Sequence, residues 1–150
     1  MSVSIRHAHP SDYGRVIQHV NAWWDGREME PMLPKLFFVH FEGTSLVAET
    51  EEGELAGFLV GFLSQAHADE AYVHFVGVAP AHRGSGLGRR LYEEFFEAVR
   101  GEGRTVVRCV TSPGNEASLS FHEALGFAVE GIAEDYDGRG QSRALLVKRL

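Results

Sequence analysis

From Val3 to His9 apolar and polar residues alternate, the two-residue period of a half-buried strand, and Pro10 ends the run. Ser11 reads as a helix N-cap with Asp12 in the first turn, and Val16, Ile17 and Val20 form one apolar face, which predicts a helix to about Trp23. Trp23, Trp24, Arg27, Met29 and Met32 lie in a stretch broken by Gly26, Pro31 and Pro34, either a pinned loop or the wall of a pocket. A short helix is expected over Lys35 to Phe41, stopped by Gly43. Thr44 to Thr50 and Leu55 to Leu63 then read as strands joined by the turn Glu51-Glu52-Gly53-Glu54, an antiparallel hairpin.

The next strand, Ala71 to Val78, runs into a glycine-rich loop. The helix after it carries Leu87, Leu91, Phe95 and Val99 at a four-residue spacing, an amphipathic pattern suited to packing on a sheet. Gly101 and Gly103 end that helix, Thr105 to Thr111 forms a strand, and Asn115 to Leu125 a helix capped by Asn115 and stopped by Gly126. Phe127 to Ile132 and Arg143 to Leu150 close the pattern as an antiparallel pair around the polar loop from Glu134 to Ser142. A strand-helix-strand unit inside an otherwise antiparallel array predicts the α+β class, a mixed and mostly antiparallel sheet flanked by helices.

Composition narrows the picture without redrawing it. At 150 residues the chain suits one domain, 1–150, and 44% hydrophobic with 23% charged residues is ordinary for a soluble globular protein. No apolar run approaches the roughly 20 residues of a membrane span, so no membrane partner is expected. The single Cys109 and the absence of a basic-then-apolar leader point to the cytoplasm. Cys109 alternates within an apolar strand and reads as core rather than nucleophile. A net charge of −7 opposes nucleic-acid binding, while Arg83, Arg89 and Arg90 crowd the glycine loop and favour a small anion. Eight histidines raise the question of metal, but only His7 and His9 share a strand face, and no metal is expected.

The glycine loop is the first piece of chemistry. Arg83-Gly84-Ser85-Gly86-Leu87-Gly88 spells R-x-x-G-x-G, and three residues without Cβ atoms let N–H groups converge above a helix N-terminus, an anion site. The loop lacks the Gly-Lys-Ser/Thr ending of a nucleotide hydrolase and the spaced third glycine of a dinucleotide fold, which leaves coenzyme A as the common pyrophosphate ligand. On the helix from Asn115, the residues Asn115, Ser118 and His122 fall within an arc of roughly 60°, a polar stripe beside Phe121 and Leu125. A Ser/His hydrolase is disfavoured, because no orienting carboxylate and no nucleophile elbow accompany the pair.

With these residues in hand the chain resembles the GNAT superfamily of N-acetyltransferases. The resemblance rests on the strand end Val76-Gly77-Val78-Ala79-Pro80, the loop Arg83 to Gly88, and the run N-x-x-S-x-x-F-H-x-x-x-G-F from Asn115 to Phe127, with strand and helix order agreeing along essentially the whole chain. It implies the GNAT acyl-CoA N-acyltransferase fold, with acetyl-CoA as cosubstrate. The backbone of Val76, Gly77 and Val78 would bind the pantetheine arm like an added strand, and Arg83, Gly84, Ser85, Gly86, Leu87, Gly88 and Arg89 would cradle the pyrophosphate. Asn115 and Ser118 would meet the cofactor further along. Many family members have a tyrosine where this chain has His122; subgroups similar to phosphinothricin acetyltransferases carry a Phe-His or Leu-His pair. Imidazole can also protonate the departing thiolate, or His122 is simply a packed side chain.

The chemistry implied is direct attack of a neutral amine on the thioester through a tetrahedral oxyanion, met by N–H groups near Gly77. His74, which shares a strand face with Tyr72 and Val76, and Glu70 at the strand start are the candidate bases, though a strand-borne histidine among aromatic residues is as readily structural. Trp23, Trp24, Arg27 and Phe37 would cover the acceptor or pack the core, and Tyr136 and Asp137 would close over it or form a turn. The expected protein is an N-acetyltransferase acting on a primary amine, with a small amine, amino acid or antibiotic favoured over a protein acceptor. The sequence leaves the oligomeric state open, and the resemblance makes a homodimer plausible. The alternative is a non-catalytic acyl-CoA sensor that keeps the loop and has lost the proton-transfer groups.

Overall fold

The computed structural model describes residues 2–150. Seven strands and four helices follow in the order β1 (Val3–His7), α1 (Tyr13–Trp23), α2 (Leu36–His40), β2 (Leu46–Thr50), β3 (Leu55–Leu63), β4 (Glu70–Val78), α3 (Leu87–Gly101), β5 (Val106–Thr111), α4 (Glu116–Ala124), β6 (Ala128–Ala133) and β7 (Arg143–Arg149). Hydrogen-bonded neighbours run β1-β2-β3-β4-β5-β7-β6. The β4–β5 pair is parallel, whereas β1–β2, β2–β3, β5–β7 and β6–β7 are antiparallel, so this is the mixed, mostly antiparallel α+β sheet expected from the chain order. The residues divide into two compact units, one up to Phe62 together with Val73–Ala98, the other Leu63–Tyr72 together with Val99–Leu150.

In the first unit the core gathers Val16, Val20 and Trp23 of α1, Phe37 and Phe38 of α2, Val47, Phe58, Val60 and Phe75. The β4 pattern is strictly alternating, with Ala71, Val73, Phe75 and Gly77 buried and the residues between them half-buried. Helix α3 buries Leu87, Leu91 and Phe95, as its spacing predicts, and adds Tyr92 and Phe96. One local expectation changes. A 3-10 turn over Pro10–Asp12 precedes α1, whose N-cap position falls on Asp12 rather than Ser11 and carries no side-chain capping bond; the Asp12 carboxylate instead accepts from His9 N–H at 2.8 Å, back across the turn. Through that carboxylate Asp12 also receives both guanidinium arms of Arg6 at 2.9 Å and Arg15 at 3.1 Å. Burial pushes its carboxyl up, yet these bonds outweigh that and hold it at about 2.

In the second unit β7 lies between β5 and β6, with Cys109 opposite Leu146 and Val129 opposite the same residue. Cys109 is buried and reduced, in the core role its alternation indicated. Asn115 caps α4 as expected, its Oδ1 accepting from Ser118 N–H at 3.1 Å. Gly126 (φ +97°) turns the chain out of that helix, and a Cβ there would meet Lys148 Nζ at 2.6 Å. Arg104 secures the loop ahead of β4, with Nη1 donating to the carbonyls of Ser64, His67 and Glu70 at 3.0–3.1 Å.

Candidate active site

The glycine loop of the first unit has the geometry that its composition requires. Gly84 (φ +77°) and Gly86 (φ +85°) occupy the left-handed region, which admits glycine without strain, and no heavy atom lies within 4 Å of a Cβ built on either. Gly86 O accepts from Arg90 N–H at 3.1 Å, so α3 begins directly at the loop and its first N–H groups lack intrahelical acceptors. An open, left-handed turn over a helix N-terminus fits a pyrophosphate. Leu87 points into the core, so only its main chain is available to a ligand.

The arginines divide in a way the letters did not show. Arg83 donates to the carbonyls of Val78 and Trp23 and ties the loop to β4 and α1. Arg90 donates to Val3 O at 3.0 Å. Arg89 is at the surface, with Nη1 3.8 Å from Glu93 Oε1 one helical turn on. Ser85 Oγ donates to His82 O and closes the turn.

Along β4, Val76 and Val78 are half-buried and Gly77 is buried under aromatic rings. A Cβ on Gly77 would come within 2.6 Å of Phe58 and 2.8 Å of Trp24, so glycine here answers to packing. Trp23 and Phe37 belong to the same core, and Trp24 packs on Phe75 with ring centroids 4.8 Å apart. His74 lies flat on Phe37 at 4.5 Å and 6°, with Nε2 2.6 Å from Met32 O. A carbonyl oxygen only accepts, so that nitrogen carries a proton and Nδ1 holds the lone pair of the neutral ring.

In the second unit the stripe on α4 forms a hydrogen-bonded row. Thr111 Oγ1 donates to Ser118 Oγ at 3.0 Å, Ser118 Oγ lies 3.3 Å from His122 Nδ1, and that nitrogen is 2.7 Å from Ser118 O. His122 is buried, with Phe121 and Phe127 edge-on to its ring. Burial lowers its pKa from the ordinary histidine value, and the Ser118 carbonyl offsets part of that. Glu70 is held by Arg108, Oε1 to Nε at 3.0 Å, and Arg108 also binds Glu130 at 2.6 Å.

Three residues here escaped the sequence reading. Arg108 is the lone charge in the apolar run Val106 to Val110, a signal that a carboxylate must face it. Thr111 ends the same strand and carries no comparable mark. Tyr72 has its pKa raised by burial, then by neighbouring Tyr136, whose hydroxyl it shares a hydrogen bond with. Tyr136 is half-exposed and Asp137 pairs with Arg143 at 2.8 Å, so their loop is fixed from within the second unit. Among the described residues no group of three or more His, Cys, Asp or Glu is placed to hold a metal ion, and no helix is long and apolar enough to cross a membrane.

The family model for the Acetyltransferase (GNAT) family matches residues 7–127. An L-2,4-diaminobutyric acid acetyltransferase of Nocardia farcinica is 35% identical over 85 residues, 57% of this chain and 44% of that protein. The N-alpha-acetyltransferase RimI of Mycobacterium tuberculosis is 35% identical over 85 residues, 53% of this chain and 52% of its own length. The chain thus spans about half the length of these curated relatives. The solved structure of yncA from Salmonella typhimurium, with its cofactor acetyl-CoA, is similar over 100% of this chain and 95% of that one at 22% identity and a TM-score of 0.75.

Proposed function

Because the chain belongs to the GNAT family of acetyltransferases, we propose that it moves the acetyl group of acetyl-CoA onto a primary amine of a small molecule. The observation that carries this reading is that the matched residues, 7–127, include both the open glycine turn at the start of α3 and the Asn115-Ser118-His122 row on α4. That span draws on both compact units, which supports reading 1–150 as one GNAT domain. A small acceptor is favoured by the diaminobutyrate acetyltransferase, whereas RimI leaves a protein N-terminus as the competing acceptor.

In the proposed reaction Gly84 to Arg89 hold the pyrophosphate through main-chain N–H groups and the Arg89 guanidinium, and Val76 to Val78 offer strand backbone to the pantetheine amides. Asn115 and Ser118 are proposed to meet the cofactor further along. The amine lone pair attacks the acetyl carbonyl, N–H groups near Gly77 meet the oxyanion, and the C–S bond breaks as the tetrahedral intermediate collapses. One proton leaves the nitrogen and one reaches the sulfur. His122 is the group proposed to carry it, with His74 and Glu70 as the remaining candidates for the base. His74 Nδ1 retains a lone pair for this, while the Glu70 carboxylate is already engaged by Arg108 at 3.0 Å.

Thiol release from acetyl-CoA over a panel of diamines, amino acids, aminoglycosides and N-terminal peptides tests the reading. Turnover with at least one small amine is expected. Acetyl-CoA binding by calorimetry without turnover on any amine would instead support the sensor reading, and failure to bind at millimolar acetyl-CoA would overturn both.

A further inference from the structure

Resting on the acetyl-transfer reading above, we propose that Ser118 and Thr111 are positioning residues that hold His122 in its Nδ1–H form, so that Nε2 is the ring atom that receives the proton in the reaction. The geometry begins with one contact. His122 Nδ1 lies 2.7 Å from the main-chain oxygen of Ser118, one helical turn earlier, and that oxygen has only lone pairs to offer. The nitrogen therefore carries the hydrogen. In the opposite tautomer two lone pairs would face each other at the same distance, an arrangement that a buried polar group is poorly placed to relieve.

The side chains around the contact hold it in place. Ser118 Oγ sits 3.3 Å from the same nitrogen and is itself fixed from β5, where Thr111 Oγ1 donates to it at 3.0 Å. Phe121 and Phe127 stand nearly perpendicular to the imidazole, with centroids 5.4 and 5.3 Å away, and set the plane of the ring. Glu123 follows His122 in α4, and Lys148 of β7 stands at the turn that leaves the helix, its Nζ 2.6 Å from where a Gly126 Cβ would sit. Ser118 thus has a second task besides the cofactor contact that the family resemblance implies. Thr111, which the resemblance does not touch, acquires a role through it.

The consequence concerns the order of proton movements. A neutral Nδ1–H imidazole has a lone pair at Nε2 and no proton there to give. His122 therefore cannot open the reaction as an acid. As the amine nitrogen bonds to the acetyl carbon, its surplus proton passes to Nε2, making a transient imidazolium. As the C–S bond breaks, the same proton passes from Nε2 to the thiolate, and the ring returns to its starting form. One proton travels from nitrogen to sulfur, with no other acid or base consumed.

Two measurements on the intact 150-residue chain test this. Nitrogen-15 NMR of histidine-labelled protein at pH 8, with His122 assigned by its loss in His122→Gln, is expected to show a pyrrole-like Nδ1 and a pyridine-like Nε2. The reverse pattern at His122 would overturn the proposal without any assay of activity. In steady-state kinetics Thr111→Val and Ser118→Ala should each lower kcat roughly tenfold with KM for acetyl-CoA within about twofold, and Thr111→Ser should restore turnover, since misplacement of a catalytic group is costly. Unchanged kcat in Thr111→Val, or a raised KM with intact kcat in Ser118→Ala, would reduce these residues to packing and cofactor contact. A protein with the Nδ1–H signature and no turnover on any amine would overturn the acetyl-transfer reading while the tautomer assignment stands.

Discussion

The two compact units each pin one histidine to a main-chain carbonyl, and they do it through opposite ring nitrogens. In the first, His74 uses Nε2 on Met32 O and lies flat on Phe37, half-buried on an open strand face. In the second, His122 uses Nδ1 on its own helix and is buried edge-on between two phenylalanines. The same side chain is therefore a tether between a strand and a distant loop in one place and, in the reaction we propose, a tautomer-locked proton carrier in the other. What separates them is the origin of the carbonyl. A partner 42 residues away makes His74 part of the fold's architecture, whereas the carbonyl that orients His122 comes from its own helix, one turn earlier.

The sharpest way to break this contrast is to exchange both rings for phenylalanine. His122→Phe is expected to reduce kcat by about 100-fold, the lower end of what a proton-transfer group contributes, with acetyl-CoA binding retained by calorimetry. Unchanged turnover from pH 6 to 9 would return His122 to the status of a packing residue. Next in size is the first unit's aromatic floor. Gly77→Ala would drive a methyl into Phe58 and Trp24, and urea titration should read a loss of roughly 1–3 kcal/mol.

Acid separates the units further. Asp12 has its folded pKa depressed to about 2 from 3.8, so its contribution is complete above the unfolded value and disappears as pH falls through that window. About 2 kcal/mol of urea stability should be lost there in the wild type and be absent from Asp12→Asn. His122 works at higher pH with the same sign. Its folded pKa is also lowered, so the unfolded chain binds the proton first, and stability falls as pH drops from the ordinary histidine value of 6.5 toward the folded one. Melting curves of wild type and His122→Phe should diverge below pH 6.5 and run parallel above it. The smallest effect is expected at His74→Phe, which keeps the stack on Phe37 and loses one hydrogen bond, about 1 kcal/mol. A large fall in kcat there, with stability intact, would transfer the proton role from α4 to β4.

Much of this was legible because it was periodic or local. The two-residue alternation of β4, the four-residue spacing of Leu87, Leu91 and Phe95, and the Asn115 cap three residues before Ser118 all depend on nearby residues and reappear in the structure. The insertion of β7 between β5 and β6 was not legible, since a closing hairpin fits a sheet edge in either order and long-range pairing decides it. Nor were the partners of Arg83 and Glu70. A charged side chain advertises its sign in the sequence, but whether it meets a ligand, the Trp23 carbonyl or Arg108 depends on elements that are remote along the chain. The His122 tautomer lies between these cases, because an i−4 carbonyl is always present on a helix but only the rotamer shows that it is used.

The glycines of the first unit would mislead a mutational-tolerance map. Gly57 faces the carbonyl of Gly77 at 2.9 Å from where its Cβ would sit, and Gly77 is roofed by Phe58 and Trp24, so both positions should reject every other residue. Gly84 and Gly86 have open space and should be nearly as intolerant because of their φ angles alone. A scan scored on acetyl-CoA binding would colour all four alike, while one scored on protein abundance would deplete the packed pair most and so separate the glycines that hold the fold from those that shape the loop.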